Sequence, residues 1–209
     1  MLETLNQGLF LSINAGPTSS AAARLVGVAA AEWLFWLVPT VLVIGWIFGG
    51  NRLRHALLVA GIAALAGLFL NQAIGLFWPH PRPFVIGLGR QLIAHQPDPS
   101  FPSDHLTVVW AVAFSLLGAS GTARRLGVAA ALLGLIIAWG RIFVGVHFPF
   151  DMLGSAAVGG LISVMAWIIG GGVAVRILQL TSRIEQFVLA RLQAALRKTQ
   201  QPNHQSQTL

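Results

Sequence analysis

The chain of 209 residues contains no cysteine and very little charge. Without cysteine it can form neither disulfides nor thiolate metal sites. Asp and Glu together number only six, charged residues make up 9% of the chain, and hydrophobic residues make up 56%. A soluble domain is usually about 25% charged and about 45–50% apolar. The composition therefore predicts one domain of an integral membrane protein.

The few charges present are mostly cationic. Lys and Arg number 13, which gives a formal net charge of +7. A strongly basic soluble domain would suggest a nucleic-acid partner. Here the cations stand at the ends of hydrophobic runs, so we interpret them as topology signals and catalytic groups and expect no nucleic-acid partner. The N-terminus has no cationic cluster before an apolar run and does not resemble a secretory signal peptide.

Five apolar runs predict an all-α fold, a polytopic membrane helix bundle with about five transmembrane helices. The runs cover roughly 25–48, 55–78, 104–120, 126–145 and 149–173, each near the roughly 20 residues that a spanning helix needs. Amphipathic helices at the membrane surface are predicted over 1–14 and, with interspersed Arg, after 173. We expect a single domain over 1–198 and a disordered, Gln-rich tail over 199–209.

The segment 79–103 differs from its surroundings, because it carries six of the ten prolines and is too polar to span a membrane. A loop this long is usually functional or disordered. Polar clusters stand at both of its ends and at one further place. They are Pro81-Arg82-Pro83, Pro102-Ser103-Asp104-His105, and the segment 141–151, which contains Arg141, His147 and Asp151. Ionisable groups near bilayer depth are expensive, so the clusters predict a functional site, and together they suit phosphate.

The distribution of cations places all three clusters on one side of the membrane. If the runs alternate, the cations of the 51–55 loop, the 121–125 loop and the C-terminus share one side. The positive-inside rule puts that side in the cytoplasm, so the clusters and the N-terminus face outward. A transporter or channel is the alternative from another class. It predicts polar residues near mid-membrane on several helices, which the sequence does not show.

The third cluster predicts a nucleophile with its orienting acid. His147 and Asp151 are four positions apart, near one helical turn, so the carboxylate could hold one ring N–H and leave the other nitrogen free. The alternative is an Asp–Arg pair beside a His whose hydrogen bonds are satisfied.

The other two clusters suit an anion. Ser103 and Asp104 precede an apolar helix, whose N-terminus attracts anions. Simple helix capping is the alternative for these two residues, but a cap has no need of His105. Arg82 offers bidentate hydrogen bonds to phosphate from a backbone stiffened by two prolines.

In their order and in the spacing of the third cluster, these residues resemble the three signature motifs of the type 2 phosphatidic-acid phosphatase superfamily, which includes membrane lipid phosphatases and soluble vanadium haloperoxidases. The resemblance implies that His147 attacks phosphorus, that Asp151 orients it, and that His105 protonates the leaving oxygen. It implies no metal and no cofactor. The phosphoryl oxygens would be held by three further residues, Arg82, Ser103 and Arg141.

Two departures from the family pattern stand out. The first motif usually begins with a Lys seven residues before its Arg-Pro pair, but here that position is Gly75. One phosphate cation is therefore missing or replaced, with His80 and Arg90 as candidates. Asp104 stands where the second motif commonly has Gly, and Gly140 where the third commonly has Ser. The Asp and the N-terminal sequence look like the bacterial bacitracin-resistance type of undecaprenyl-diphosphatase.

That resemblance implies hydrolysis of undecaprenyl diphosphate to undecaprenyl phosphate and phosphate through a phosphohistidine. The implied partners are the polyprenyl diphosphate substrate and membrane lipids, and oligomeric state is not predicted. The implied location is the bacterial inner (cytoplasmic) membrane, with a multi-pass chain and the active site facing the periplasm or cell exterior. The alternatives are a phosphatidic-acid or phosphatidylglycerophosphate phosphatase and a lipid A phosphotransferase. The motifs do not separate them, because the motif residues contact the phosphate and not the lipid tail. A scaffold with a decayed site is a third, which the complete His–His–Asp set disfavours.

Glu32, His55 and His95 are three of the ionisable residues that stand outside the motifs. Glu32 lies in the first apolar run, either as an interfacial residue of little cost or as a partner for Arg141 or His105. We interpret His55 and His95 as ordinary loop or interface residues.

Overall fold

The structure, a computed structural model, describes residues 1–200 of the chain and, of their side chains, those of residues 1–197. All regular elements of this part are helical. The predicted tail lies outside the described residues from 201 onward. The α-helices are α1 (Leu2–Ile13), α2 (Ala21–Val28), α3 (Leu37–Phe48), α4 (Asn51–Phe77), α5 (Asp104–Leu117), α6 (Thr122–Phe143), α7 (Pro149–Met165) and α8 (Gly171–Gln200).

The helices confirm the predicted fold class. A π turn (Ala29–Trp33) and a 3-10 turn (Leu34–Trp36) join α2 to α3, and a second π turn (Ala166–Gly170) joins α7 to α8. Four helical segments in the described part are long and apolar enough to cross a membrane. They are Ala21–Phe48, Asn51–Phe77, Thr122–Phe143 and Pro149–Arg197.

The outward side chains of the long helices are apolar. Leu65 and Phe69 on α4 are 71% and 79% exposed, and Leu132 on α6 is 59% exposed. Exposed apolar surface of this extent is unfavourable in water, whereas lipid solvates it and each helix satisfies its own backbone hydrogen bonds. The chain is therefore a multi-pass membrane protein.

Helix α5 is the centre of the bundle and packs against α4, α6 and α7. Its side chains Leu106, Val109 and Leu116 are at most 1% exposed. Glycines on the neighbouring helices allow close approach to its backbone. A Cβ atom at Gly127 of α6 would lie 2.6 Å from the backbone nitrogen of Leu117. Small residues at such crossings let membrane helices gain van der Waals contact.

Helix α5 is also short, and its first turn is recessed. Its 14 residues rise about 21 Å, less than the roughly 30 Å hydrocarbon core of a bilayer. The Asn71 side chain donates to Asp104 Oδ1 at 2.8 Å and to Thr107 Oγ1 at 3.0 Å. Since α4 continues six residues beyond Asn71, to Phe77, its end rises about 9 Å further. The N-terminus of α5 therefore forms the floor of a depression.

The N-terminal helix and the long loop cover this end of the bundle. Asn14 Nδ2 donates to the carbonyl oxygens of Arg90 at 2.9 Å and Phe143 at 3.0 Å. Asn6 Oδ1 accepts from the backbone N–H of Phe150 at 3.0 Å. The loop is thus tied to α1 and to the connection between α6 and α7.

Helix α8 lies across the opposite end of the bundle. His55 Nε2 lies 3.3 Å from the carbonyl oxygen of Gly171, and the neighbouring Arg54 pairs with Glu185 at 3.1 Å. The two contact points on α8 are fourteen residues, or about 21 Å, apart along its axis. Because both meet the same turn of α4, α8 crosses the end of α4, as expected for an amphipathic surface helix.

We expect Gly127→Ala to lower the melting temperature of the detergent-solubilised protein by several degrees, because the new methyl group would press on the α5 backbone. Gly61→Ala is the matched control. It is also within a helix, but a Cβ atom there meets nothing within 4 Å. Equal melting temperatures for the two variants would contradict the role assigned to close α5–α6 packing.

Candidate active site

Residues of the three clusters, far apart in the sequence, meet at the recessed end of the bundle. Arg82 is 4% exposed, and Arg141, His147 and Asp151 are each 1% exposed. Among the described residues, these are the buried groups that can carry charge. Their location at one end of the bundle disfavours a permeation path through it. Burial without partners would be prohibitive, so the partners of each group define the site.

His147 is held in one tautomer by its neighbours. Its Nδ1 lies 3.2 Å from Asp151 Oδ2, and its Nε2 lies 3.0 Å from Arg82 Nη1. A guanidinium only donates hydrogen bonds, so Nε2 must accept and Nδ1 must carry the proton that goes to the carboxylate. The unshared electron pair of Nε2 consequently faces Arg82. The spacing of four residues predicted this His–Asp contact, and no Asp151–Arg pair takes its place in the described part.

Asp151 is fixed by two further donors. Its Oδ2 accepts the backbone N–H of Phe148 at 2.8 Å, and the Ser100 hydroxyl donates to the same oxygen. Pro149 occupies the first position of α7, where its missing N–H costs nothing. The helix start therefore aims the carboxylate back at His147. Ser100, which is 0% exposed, was not found from the sequence, because its burial comes from the path of the loop.

Arg82 joins the loop to His147 and to the connection between α6 and α7. Its Nε donates to Asp98 Oδ1 at 3.0 Å, and its Nη1 donates to the carbonyl oxygen of Val146 at 2.9 Å. Its Nη2 donates to the carbonyl oxygen of Pro99 at 3.3 Å. These three acceptor atoms, from two segments, orient one guanidinium, a group that binds phosphate with paired hydrogen bonds.

Arg141 contacts the first membrane span. Its Nη1 lies 3.5 Å from Glu32 Oε1 and 3.5 Å from the carbonyl oxygen of Ala31. A Cβ atom at Gly140 would lie 2.8 Å from the Ala31 nitrogen, so the absence of Ser there allows α6 to rest on the π turn. Of the two interpretations of Glu32, the one in which it partners Arg141 is the one the structure supports.

His105 and Arg141 line an open cavity of about 410 Å³. The His105 ring lies 4.6 Å from the Phe35 ring, and no hydrogen bond to its nitrogens is found among the described residues. The cavity is large enough for a phosphoryl group and open to a substrate. Its lining residues are Glu32, Ala94, His95, Gln96, His105 and Arg141.

The capping alternative for Ser103 and Asp104 is wrong. Neither side chain accepts from the first turn of α5. Asp104 instead accepts from the Asn71 amide at 2.8 Å and from the Gln72 amide at 3.2 Å. The Ser103 hydroxyl is buried without a partner in the described part, while its backbone N–H donates to Ser155 Oγ at 2.8 Å.

The interpretation of His95 as an ordinary loop residue is wrong. Its Nε2 lies 3.0 Å from Arg141 Nη2 and its ring lines the cavity. The two residues predicted as substitutes for the missing Lys lie elsewhere. His80 pairs with Glu3 at 3.5 Å, and Arg90 contacts Asn14 through its backbone. No sequence motif marks His95, because only the fold of the loop brings it to the cavity.

Burial lowers the pKa of His147 well below its ordinary value, and the nearby charges of Arg141 and Arg82 lower it further. The ring is therefore neutral near pH 7, which is the state in which Nε2 can act as a nucleophile.

The chain is similar in sequence and in fold to proteins that are already known. Residues 55–173 match the model of the PAP2 superfamily. The chain is 38% identical over 161 residues to YbjG of Escherichia coli (strain K12), named as a candidate undecaprenyl-diphosphatase, with 76% of this chain and 79% of YbjG covered. It is 34% identical over 154 residues to the undecaprenyl-diphosphatase BcrC of Bacillus subtilis (strain 168), with 74% and 78% covered.

The crystal structure of Aquifex aeolicus LpxE has a similar fold, with a TM-score of 0.62 and 23% identity over 78% of this chain and 94% of that one. The chain belongs to the PAP2 superfamily, as its three motifs predicted. It is accordingly a phosphatase, embedded in a membrane by several apolar helices.

We expect Ser100→Ala to lower the turnover rate for phosphate release by about tenfold or more, because a hydrogen bond to a charged group is lost from Asp151. KM should change little, since Ser100 lies behind the His147–Asp151 pair. Ser163→Ala is the control, because Ser163 is 4% exposed and bonds only its own helix. A rate for Ser100→Ala equal to that of the control would contradict the positioning role.

Acidification should destabilise the protein through His147. Because its folded-state pKa lies below the ordinary 6.5, the unfolded chain binds a proton below that pH which the folded protein does not. Stability is thus lost as pH falls below about 6.5, by up to about 1.4 kcal/mol per pH unit. The melting temperature should fall between pH 6.5 and 5 more steeply for wild type than for His147→Gln. Parallel curves would show that His147 does not carry this effect.

Proposed function

We propose that the chain hydrolyses undecaprenyl diphosphate to undecaprenyl phosphate and inorganic phosphate. The observation that carries the chemistry is the neutral His147 held between Asp151 and Arg82, with Nε2 directed at the guanidinium. The choice of lipid rests on the two relatives, whose names give this activity and which match about three quarters of the chain.

In the first step, His147 Nε2 attacks the terminal phosphorus. The N–P bond forms as the P–O bond to the lipid phosphate breaks, and the electron pair leaves with that oxygen. His105, in its protonated imidazolium form, donates a proton to the leaving oxygen and becomes a neutral imidazole. The positive charge that develops on the attacking ring is stabilised by the Asp151 carboxylate, which accepts a hydrogen bond from Nδ1–H.

In the second step, water attacks the phosphorus of the phosphohistidine. His105, now unprotonated, accepts a proton from that water, the P–N bond breaks, and inorganic phosphate leaves. The electron pair returns to Nε2 and the starting tautomer is restored. His105 suits both steps because its nitrogens keep no hydrogen-bond partner in the described part of the chain.

Three residues are proposed to hold the phosphoryl oxygens. Arg82 Nη1 already contacts the nucleophilic nitrogen at 3.0 Å, so an oxygen of the attacked phosphoryl group can take over that donor. Arg141 presents its guanidinium to the cavity, with Nε lacking a partner among the described residues. The buried Ser103 hydroxyl is likewise unpartnered. Fixed donors at the reacting group stabilise charge in the transition state.

An apolar groove beside the cavity is proposed to hold the start of the polyprenyl tail. The groove has a volume of about 590 Å³. It shares with the cavity the π turn that contains Glu32 and Trp33, and also the loop, which contributes Leu92 to the groove and Ala94 to the cavity. The remaining groove residues are Ala21, Arg24, Leu25, Val28 and Ala29.

The active site is proposed to face the periplasm or cell exterior of the bacterial inner membrane. Arg52 at the start of α4 and the cations at the start of α6 lie at the end of the bundle away from the site, where the two connecting loops border one pocket. The positive-inside rule places this end in the cytoplasm. Outward-facing hydrolysis would recycle the lipid carrier of cell-wall synthesis, and bacitracin sequesters the same lipid.

The test is phosphate release by purified protein from undecaprenyl diphosphate, phosphatidic acid and phosphatidylglycerophosphate in matched mixed micelles. We expect the highest kcat/KM on undecaprenyl diphosphate. His147→Ala should lower the rate by at least about a thousandfold, because no nucleophile remains.

His55→Ala is the matched control, since it removes a histidine at the opposite end of the bundle. Full activity of His147→Ala would sink the assignment of the nucleophile. A preference for either of the two phosphomonoester lipids would assign the chain to that lipid instead.

A further inference from the structure

His95 is a cavity residue for which the proposed mechanism has no use. It comes from the loop between α4 and α5, outside the three motif clusters, and its ring centroid lies 6.3 Å from that of His147. Its Nε2 and Arg141 Nη2 are 3.0 Å apart, at the wall of the cavity. The ring therefore stands where a phosphoryl group bound by Arg141 would meet it.

The neighbours of His95 define its protonation state in the empty cavity. Nδ1 lies 3.1 Å from the carbonyl oxygen of Gln96, which can only accept a hydrogen bond. Arg141 can only donate, so Nε2 accepts. His95 is therefore a neutral imidazole with its proton on Nδ1. Burial also lowers the pKa of His95, and the charges of Arg82 and Arg141 lower it further.

An anion in the cavity would favour the protonated form of His95 over the neutral form. If a phosphoryl oxygen enters between His95 and Arg141, the guanidinium can donate to that oxygen and no longer needs Nε2 as its acceptor. Protonated Nε2 then donates to the same phosphoryl group, and two cations face one anion. Without the anion, the same proton would set imidazolium against guanidinium at 3.0 Å.

We propose that His95 is a phosphate-binding residue that takes up a proton when a phosphoryl group enters between it and Arg141. It supplies, only in the occupied state, the cation missing at Gly75. This inference rests on the proposed phosphatase function but not on the identity of the lipid, because the ligand it recognises is the phosphate itself.

Other charged and titratable groups face His95 from every element around it, and their balance fits conditional protonation. Two arginines oppose a charge on the ring, whereas Asp98 at 3.6 Å from Nδ1 favours it. The full set is Arg82 and Asp98 from the same loop, Glu32 from the first span, His105 from α5, Arg141 from α6, and His147 from the α6–α7 connection.

The experiment measures binding of inorganic diphosphate to the intact, detergent-solubilised protein by titration calorimetry. Repeating it in buffers of different ionisation enthalpy gives the number of protons taken up. At pH 6.5 we expect His95→Gln to bind about tenfold more weakly than wild type, because a charged donor is lost. The variant should take up about one proton fewer than wild type.

The pH dependence separates this role from a structural one. The gap in affinity between wild type and His95→Gln should narrow from pH 6.5 to 8.5, because protonating the ring becomes harder. His95→Lys, which carries its charge throughout, should bind more tightly than His95→Gln across this range. Gln91→Ala, an exposed position on the same loop, is the control and should match wild type.

Affinity and proton uptake equal to wild type in His95→Gln would overturn the proposal. Weaker binding with unchanged proton uptake and no gain in His95→Lys would also overturn it, because the ring would then only support the loop.

Parallel assays with inorganic phosphate, with the lipid diphosphate and with the phosphomonoester lipids show which phosphoryl group His95 contacts. If His95→Gln loses more affinity for diphosphates than for monophosphates, His95 contacts the phosphoryl group that stays on the lipid. If it loses the same affinity for all of these ligands, His95 contacts the phosphoryl group that is transferred. If undecaprenyl diphosphate is not hydrolysed, the lipid assignment fails while the calorimetric result still decides the role of His95.

Discussion

The active-site end depends on the enclosure of one short helix. Helix α5 is surrounded by α4, α6 and α7, and glycine-mediated contacts fix its height among them. Its 14 residues leave the first turn beside Asn71, below the end of α4. Ser103 and His105 therefore lie in a depression within protein, where backbone outside regular helices can reach membrane depth without facing lipid. A full-length helix here would have raised these residues to the surface and left no floor for the cavity.

Arg82 connects the loop to the segment between α6 and α7. Its hydrogen bonds reach the loop through Asp98 and Pro99 and the α6–α7 connection through Val146, and they also fix the tautomer of His147. One side chain thus sets the position of the loop and the tautomer of His147, the proposed nucleophile. Under the proposed function, a phosphoryl group that accepts from Arg82 Nη1 would free the electron pair of His147 Nε2 for attack, so phosphate binding and activation of His147 would be one event.

The sequence predicted the bundle and the His147–Asp151 contact, because both depend on periodicity that is local to the chain. It could not predict Ser100 or His95, since their places depend on how the segment 79–103 folds against distant helices. For the same reason, the sequence indicated that His95 is an ordinary loop or interface residue. The capping interpretation of Asp104 failed because the amide of Asn71, on another helix, offers its carboxylate a partner that the helix end does not. Local patterns indicated His147 and Asp151, whereas tertiary contacts bring Ser100 to Asp151 and His95 to Arg141.

The placement of the acids explains how the site can hold two arginines without a substrate and still accept an anion. Asp151 is committed to His147, whereas Glu32 and Asp98 lie at the rim with side chains 46% and 52% exposed. Partly hydrated carboxylates stabilise the buried guanidinium groups at little desolvation cost of their own. They also leave the inner side of Arg141 toward the cavity and Nη1 of Arg82 toward His147. Under the proposed function, a phosphoryl group would therefore bind without first displacing an acid. The charge of the arginines, offset only by acids at the rim, would then stabilise the charge that develops on the phosphoryl oxygens.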